Sequence, residues 1–557
     1  LAALRIIAAM PMTTVDRAHA TPPPYPLGTS RYWDLLAGAL LAALLLFVVA
    51  TFKQHGVSND EPVQHTYGRL LLDFYSSGLT DLRAFDYLNL HLYGGLFDII
   101  AAALEPWVTL SVWDLRHLLS ALFGLVGIVF VGLTARHIAG PRAGCLAAML
   151  LGLTGAWSGA MFTHTKDVPF AAAMIAATYF TTRLLSRLHV PQRSDIIGTG
   201  LALGAALGLR VGGLFAVIYL LIGLAAVLVP TQRSWADWQR TLRQLWASLA
   251  VIALITMVVM ALAWPWSVMG WHNLFDAATK FSHFSFDMKT QLAGQMYEIG
   301  DVPRTYLVWY LLIRLPELLL AGLLLAGVLA ARGLWQRQFT VTQVNTLLPV
   351  LLAGLFPLAY TLATSPALYN GIRHFTFVVP PLAVLAALGL DGLLSRIRTR
   401  RISMLLVTTA LLGTGLDNLL LLVRLHPYQY VAYNQLIGGT AGAYERYELD
   451  YWSDAARESA LLLNHLLRDE LGNAPAGLTV AFCGESAQVN EFLDPRFRVV
   501  RDWPSADFYI AATQTGCDRV MSGTLIGDVS REGIPLMVIK DRRELVGPDR
   551  RVLPLVP

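Results

Sequence analysis

Charged side chains are scarce in this 557-residue chain, at 14% of the total against roughly 25% in a soluble domain. A water-soluble fold is excluded on that ground, because its surface would lack the charge that keeps it dispersed. Cysteine is scarcer still, with three residues, no C-x-x-C pair and no His/Cys ligand spacing, so a cysteine zinc site is excluded. No G-x-x-x-x-G-K-[ST] follows a strand pattern, which removes a phosphate loop and an ATPase. The formal net charge is only +4, and nothing in its distribution points to nucleic acid.

What fills the space is apolar: 55% of residues are hydrophobic and the mean hydropathy is +0.52. The apolar residues gather into runs long enough to cross a hydrocarbon core, which takes about 20 residues per helix. About eleven crossings are predicted. They lie near 34–52, 117–138, 143–162, 168–185, 196–209, 212–229, 247–264, 306–330, 346–364, 375–394 and 403–423. The fold class is therefore an α-helical polytopic membrane protein. Residues 1–33 read as a cytoplasmic tail rather than a cleaved signal, since the run Leu1 to Met10 is short and Pro22, Pro23 and Pro24 follow. In the fifth predicted helix Gly200, Gly204 and Gly208 recur every fourth residue, a stripe that admits a neighbouring helix.

Alternate connections are basic: Arg136 and Arg142; Arg183, Arg187 and Arg193; Arg233, Arg240 and Arg243; Arg332 and Arg337; Arg396, Arg398, Arg400 and Arg401. The positive-inside bias makes these cytoplasmic. The outer set is then a long first loop, 53–116, the turns at His164 to Asp167 and at Arg210, the segment 266–305, the loop Tyr369 to His374 and everything after Arg424. Residues 34–425 form the membrane domain. Residues 426–557 form an extracytoplasmic domain with a helix near 454–471 and short strands near 478–482, 497–500, 508–512 and 536–539, a small α/β unit. Cys483 and Cys517 both fall in its predicted core; in an oxidising compartment they pair, the alternative being two buried thiols.

Polar residues stand out against this background. After the first crossing comes Ser58-Asn59-Asp60-Glu61-Pro62, leading into a helical stretch, Val63 to Tyr75. A helix cap explains such residues, and two adjacent carboxylates at a membrane surface also suit proton transfer. The charge bias puts Asp60, Lys166, Asp167, Arg210, Arg373 and His374 on one side of the bilayer. Cations that stabilise a departing phosphate and a carboxylate that takes a hydroxyl proton are what cleavage of a sugar-phosphate bond requires. The bland readings are snorkelling anchors for Arg210 and Arg373 and a surface ion pair for Lys166 and Asp167.

An acidic pair just beyond the first transmembrane helix resembles the GT-C glycosyltransferases, in particular the branch holding protein O-mannosyltransferases and aminoarabinose transferases. Thr165-Lys166-Asp167-Val168-Pro169-Phe170, Gly208-Leu209-Arg210, Tyr369-Asn370-Gly371-Ile372-Arg373-His374, His426-Pro427-Tyr428-Gln429-Tyr430 and Asp450-Tyr451-Trp452 are similar to bacterial members. The resemblance implies inverting transfer of a sugar from a polyprenyl-phosphate donor to a protein, lipid or glycan acceptor at the outer face of a bacterial-type inner membrane. Asp60 is the implied general base, supported by Glu61. Lys166, Arg210, Arg373 and His374 bind the donor phosphate, with His91, His164, Asp167 and Tyr369 in support. His91 departs from the family pattern, lacking the proline that follows it there. Asp60, Glu61, Asp167 and nearby histidines also carry donor atoms for a divalent metal, to which the sequence does not commit. The rival reading is a secondary transporter or lipid-carrier flippase, which places its charges near the midplane on repeat-related helices; a third is a scaffold of this shape without catalysis.

Overall fold

The computed structural model describes residues 27–188, 190–232, 234–282, 288–468 and 477–546. The tail before Leu27 and Arg233 lie outside the described residues, as does the end of the tail helix expected near 454–471. The helices that matter below are α1 (Leu27–Thr51), α2 (Glu61–Ser76), α3 (Leu96–Leu104), α4 (Val112–Ala139), α5 (Pro141–Gly152), α6 (Asp167–Ser186), α7 (Arg193–Leu207), α8 (Leu214–Leu228) and α9 (Trp235–Ala263). They continue with α10 (Tyr306–Arg314), α11 (Glu317–Trp335), α12 (Val341–Thr364), α13 (Val379–Ile397), α14 (Arg401–Leu425) and α15 (Ala456–Leu466).

Among the described residues nine helices are long and apolar enough to cross a membrane, or ten if one bent pair counts as a span. Three of the expected crossings differ in form. The third is broken by 71° between α5 and the short turns 155–163. The fifth, α7, has only 15 residues. The eighth divides at Pro316, which has no N–H to continue a ladder, leaving α10 as a nine-residue helix ahead of α11.

Local sequence chemistry fixes the ends. Ser234 and Asp237 form a capping box on α9, Thr340 and Gln343 form one on α12, and Ser111 Oγ accepts the Asp114 N–H of α4. The glycine stripe of α7 meets α9 as expected: side-chain carbons at Gly200, Gly204 and Gly208 would fall within 2.8 Å of Ile255, Val259 and Ala263. At the helix ends expected to be cytoplasmic, Arg136 pairs with Asp34, Arg142 with Asp391 and Arg183 with Asp195, each at 2.6–2.9 Å.

The C-terminal sheet has the order β4-β3-β5-β7-β6, from β3 (Leu478–Cys483), β4 (Phe497–Val500), β5 (Phe508–Ala512), β6 (Thr524–Arg531) and β7 (Ile534–Asp541). β3 runs parallel to β4 and β5, while β7 is antiparallel to β5 and β6. Strand β6 escapes the sequence reading because it is an edge strand, largely solvent-facing, with polar residues along it. A hairpin of β1 (Lys289–Leu292) and β2 (Gln295–Glu298) was likewise unmarked, being four-residue strands without an apolar run. The helical turn after β3 reaches the first loop directly, since Gln488 Nε2 donates to the carbonyl of Val57 at 2.6 Å, and it also donates to that of Trp452 at 2.9 Å.

Cys483 and Cys517 are joined in a disulfide that closes 34 residues of chain, and Cys145 is a buried free thiol. Intact-mass analysis after alkylation of the denatured, unreduced protein should show one labelled cysteine, and three after reduction. Cys483→Ser should lower stability by about 3–4 kcal/mol, the chain-entropy value for a loop of this length, read as a reduced melting temperature.

Candidate active site

Residue 60 sits at the head of α2, where the chain turns from α1 into the first loop. The turn before the helix is closed by Glu61, whose Oε2 accepts the N–H and hydroxyl of Ser58 at 2.8 and 3.0 Å. Asp60 makes no capping bond. Its Oδ2 instead accepts from Arg373 Nη2 at 2.5 Å. The same guanidinium donates through Nε to Asp167 Oδ2 at 3.3 Å, and Asp167 Oδ1 meets Arg210 Nη2 at 2.5 Å. Four residues from four separate segments thus form one alternating chain, Asp60–Arg373–Asp167–Arg210. The Arg373 guanidinium also lies 3.8 Å from the Trp452 ring centroid, a stacking arrangement that suits the planar, weakly hydrated cation.

Close backbone contacts bring these residues together. A side-chain carbon at Gly94 would fall 2.0 Å from the Gly208 carbonyl oxygen, and the N–H groups of Gly95 and Leu96 donate to the carbonyls of Ala263 and Gly208. The first loop is thereby pinned to the ends of α7 and α9, beside Arg210. Arg373 follows a left-handed pair, Asn370 (φ +54°) and Gly371 (φ +66°), whose Gly371 N–H donates to the Tyr306 hydroxyl at 3.0 Å. That turn reverses the chain before α13 and aims Arg373 inward.

The cluster opens into a cavity of about 630 Å³. Asp60, Lys166, Arg210, Tyr369, Arg373 and His374 all line it. Lys166 Nζ lies 4.0 Å from the Tyr93 ring centroid, and no carboxylate among the described residues pairs with it within 4.0 Å. Burial pulls its ammonium below the usual lysine range, against the pull of Asp60 and Asp98; burial likewise pushes the Tyr93 and Tyr369 phenols up. His374 stands edge-on to Tyr369 at 4.4 Å. The cavity wall also has an apolar part, with Leu214, Phe215 and Ile218 of α8 and Tyr360 of α12, whose ring stands 5.5 Å from that of Phe215.

Four expected site residues do not line it. Glu61 is wholly buried behind the cavity wall, 3.6 Å from Arg116 Nε and 3.3 Å from His117 Nε2, so it does not share the ligand space with the neighbouring Asp60. Asp167 lies beneath the two arginines and holds them. His164 Nε2 is 2.7 Å from the Tyr451 hydroxyl, and burial drives its pKa down to about 3, so it is a neutral prop for that ring. His91 packs its ring against Trp266 at 4.9 Å, away from the cavity. The sequence reading missed Asn59, Gln64, Tyr93 and Trp452 as lining residues. Gln64 was findable, one turn after Asp60 on the same helix face; Trp452 stood in the Asp450-Tyr451-Trp452 stretch without an assigned task.

The donor set does not suit a metal ion. Both cluster carboxylates are already engaged by guanidinium groups, and no group of three or more His, Cys, Asp or Glu side chains among the described residues is placed to hold one.

Residues 111–264 match the model of the family described as dolichyl-phosphate-mannose-protein mannosyltransferase, in agreement with the GT-C resemblance of the sequence. No curated protein matches the chain. Among solved structures the chain is similar to ArnT from Cupriavidus metallidurans bound to undecaprenyl phosphate, at 15% identity over 92% of this chain and 98% of that one, TM-score 0.46. It is also similar to the archaeal oligosaccharyltransferase AglB from Archaeoglobus fulgidus in complex with an inhibitory peptide and a dolichol-phosphate, at 13% identity over 86% and 69%, TM-score 0.46. A third similar structure is the arabinofuranosyltransferase AftD from Mycobacteria, at 15% identity over 92% and 40%, TM-score 0.37.

The two neighbouring carboxylates should separate by stability. Glu61→Ala leaves the buried Arg116 with Asp98 as its carboxylate partner but takes away the acceptor of the Ser58 N–H and hydroxyl; it should cost about 2–3 kcal/mol, seen as a clear drop in melting temperature of the purified protein. Asp60→Asn keeps an oxygen acceptor for Arg373, which retains Asp167, and should cost about 1 kcal/mol.

Proposed function

We propose that the chain is an inverting glycosyltransferase that moves a sugar from a polyprenyl-phosphate donor to an acceptor at the outer face of the membrane. The observation that carries this reading is a single cavity whose wall holds a carboxylate and three cations together with apolar side chains of α8 and the Tyr360 ring of α12. A ligand with an anionic head and a hydrocarbon tail matches that combination, and its anchor lies in the same bilayer. The matched family model supports it.

In this reading Lys166, which among the described residues has no carboxylate in direct contact, is the first contact for the donor phosphate, with Arg210 and Arg373 beside it. Phosphate oxygens drawing on Arg373 loosen its bond to Asp60, and the carboxylate becomes free to accept the acceptor hydroxyl's proton. The acceptor oxygen bonds to the anomeric carbon from the face opposite the phosphate. The carbon–oxygen bond to phosphate breaks with its electron pair going to the phosphate, and the cations stabilise that charge as it develops. His374 lines the same wall. Glu61 takes no part in bond making. A transporter would place its charges on repeat-related helices at mid-membrane; here they stand at helix ends and in loops.

The outer-face assignment rests on the basic loops and gains support from the disulfide, since such bonds persist in oxidising compartments. A C-terminal alkaline phosphatase fusion should be active and a cytoplasm-only fluorescent fusion dark; the reverse pattern moves the site to the cytoplasmic face.

Asp60→Asn should lower sugar transfer by about 10²–10⁴-fold while retaining donor binding, the cost of removing a general base. Arg373→Ala should weaken donor binding and turnover together, having lost a phosphate contact used before and during bond cleavage. Near-normal transfer by a folded Asp60→Asn protein would remove the base from the mechanism.

A further inference from the structure

Behind the cavity wall lies a second charged cluster, and its geometry fixes the orientation of one side chain that faces the cavity. Arg116 is fully buried between α2, α3 and the Thr165 turn. Its Nη2 donates to Asp98 Oδ1 at 2.9 Å, to Gln64 Oε1 at 3.2 Å and to Thr165 Oγ1 at 3.3 Å. The Thr165 hydroxyl donates in turn to Gln64 Oε1 at 2.9 Å. A guanidinium has only donors, so the amide group of Gln64 turned toward it must be the carbonyl oxygen. The amide nitrogen then points the other way. Gln64 lines the cavity, and among the described residues nothing accepts from its Nε2. Two N–H donors, held in place by a buried arginine, therefore face the ligand space one helical turn beyond Asp60.

We infer that Gln64 is a sugar-binding residue: its amide N–H groups donate to a hydroxyl oxygen of the neutral sugar being transferred, next to the reacting carbon. This deepens the transferase reading and rests on it. The cations already present serve the phosphate, from the turn at Lys166, the turn at Arg210 and the loop at Arg373. A neutral carboxamide on the helix that carries the base adds little for an anion but suits a hydroxyl, which offers lone pairs to an N–H donor. Preorganisation by Arg116 and Thr165 means that no side-chain freedom is lost when the sugar arrives.

The test compares binding of polyprenyl phosphate carrying mannose, glucose or galactose with binding of bare polyprenyl phosphate to the purified full chain. The readout is the ratio of glycosylated to bare affinity for the hexose the wild type prefers, because any effect on the shared phosphate cancels. Gln64→Met removes both the donors and the acceptor. Gln64→Glu keeps an oxygen facing Arg116 and Thr165, and so the fold, while deleting the donors. In both variants the ratio should fall roughly tenfold, the scale of a hydrogen bond lost with its partner left in a closed site, since any change in phosphate binding enters numerator and denominator alike. An unchanged ratio in either folded variant overturns the inference, as does a wild type that prefers no hexose over the bare lipid. A wild type that binds neither lipid overturns the transferase reading itself, and this inference with it.

Discussion

The Arg373 guanidinium is the group on which the proposed site depends. It is almost fully enclosed, and it reaches Asp60 from α2, Asp167 at the head of α6 and the Trp452 ring from the C-terminal segment at once. A cation held where water is scarce needs partners on every polar face, and stranding one member of such a set costs several kcal/mol. The arrangement therefore locks together segments that are far apart in sequence. Asp167, shared with Arg210, extends the lock to the end of α7. Lys166 remains outside the alternating pairs.

Neither arginine reaches its place through helix propensity. Their positions follow from places where backbone meets backbone: Gly94 against the Gly208 carbonyl, and the left-handed Asn370-Gly371 pair tied to the Tyr306 hydroxyl. The C-terminal sheet contributes in the same way. Gln488 holds the carbonyls of Val57 and Trp452, so one side chain of the sheet region steadies both the approach to Asp60 and the ring beneath Arg373. The tail is part of the site's support as much as a separate unit.

Two charged layers stand back to back across α2. The front layer meets the cavity, where Asp60 retains substantial exposure (38% of its side chain). The rear layer, Glu61, Asp98 and Arg116, is sealed; burial raises the Asp98 carboxyl above its ordinary range even beside Arg116. Adjacent residues on a helix point about 100° apart, and that single step assigns Asp60 to the ligand space and Glu61 to the scaffold. Gln64 lies between the layers, its oxygen in one and its nitrogen toward the other.

By itself the sequence determined the membrane class, most of the crossings, the strand-bearing tail and the set of charged residues that gather at one end of the helices. Those follow from apolar run length and arginine placement, which are local quantities that hydration and the bilayer act on directly. The helix breaks at Pro316 and between α5 and the 155–163 turns, the edge strand β6 and the short hairpin at 289–298 were decided by packing, since their residues carry no run or period that dictates them. So was the division of labour in the site. That Asp60 meets Arg373 while Glu61 closes the turn at Ser58 and meets His117, that His91 and His164 stand back from the cavity, and that Gln64 turns its nitrogen inward, all depend on contacts between residues up to 313 positions apart. No local pattern encodes such pairings, because a side chain's partners are set by where the rest of the chain delivers them.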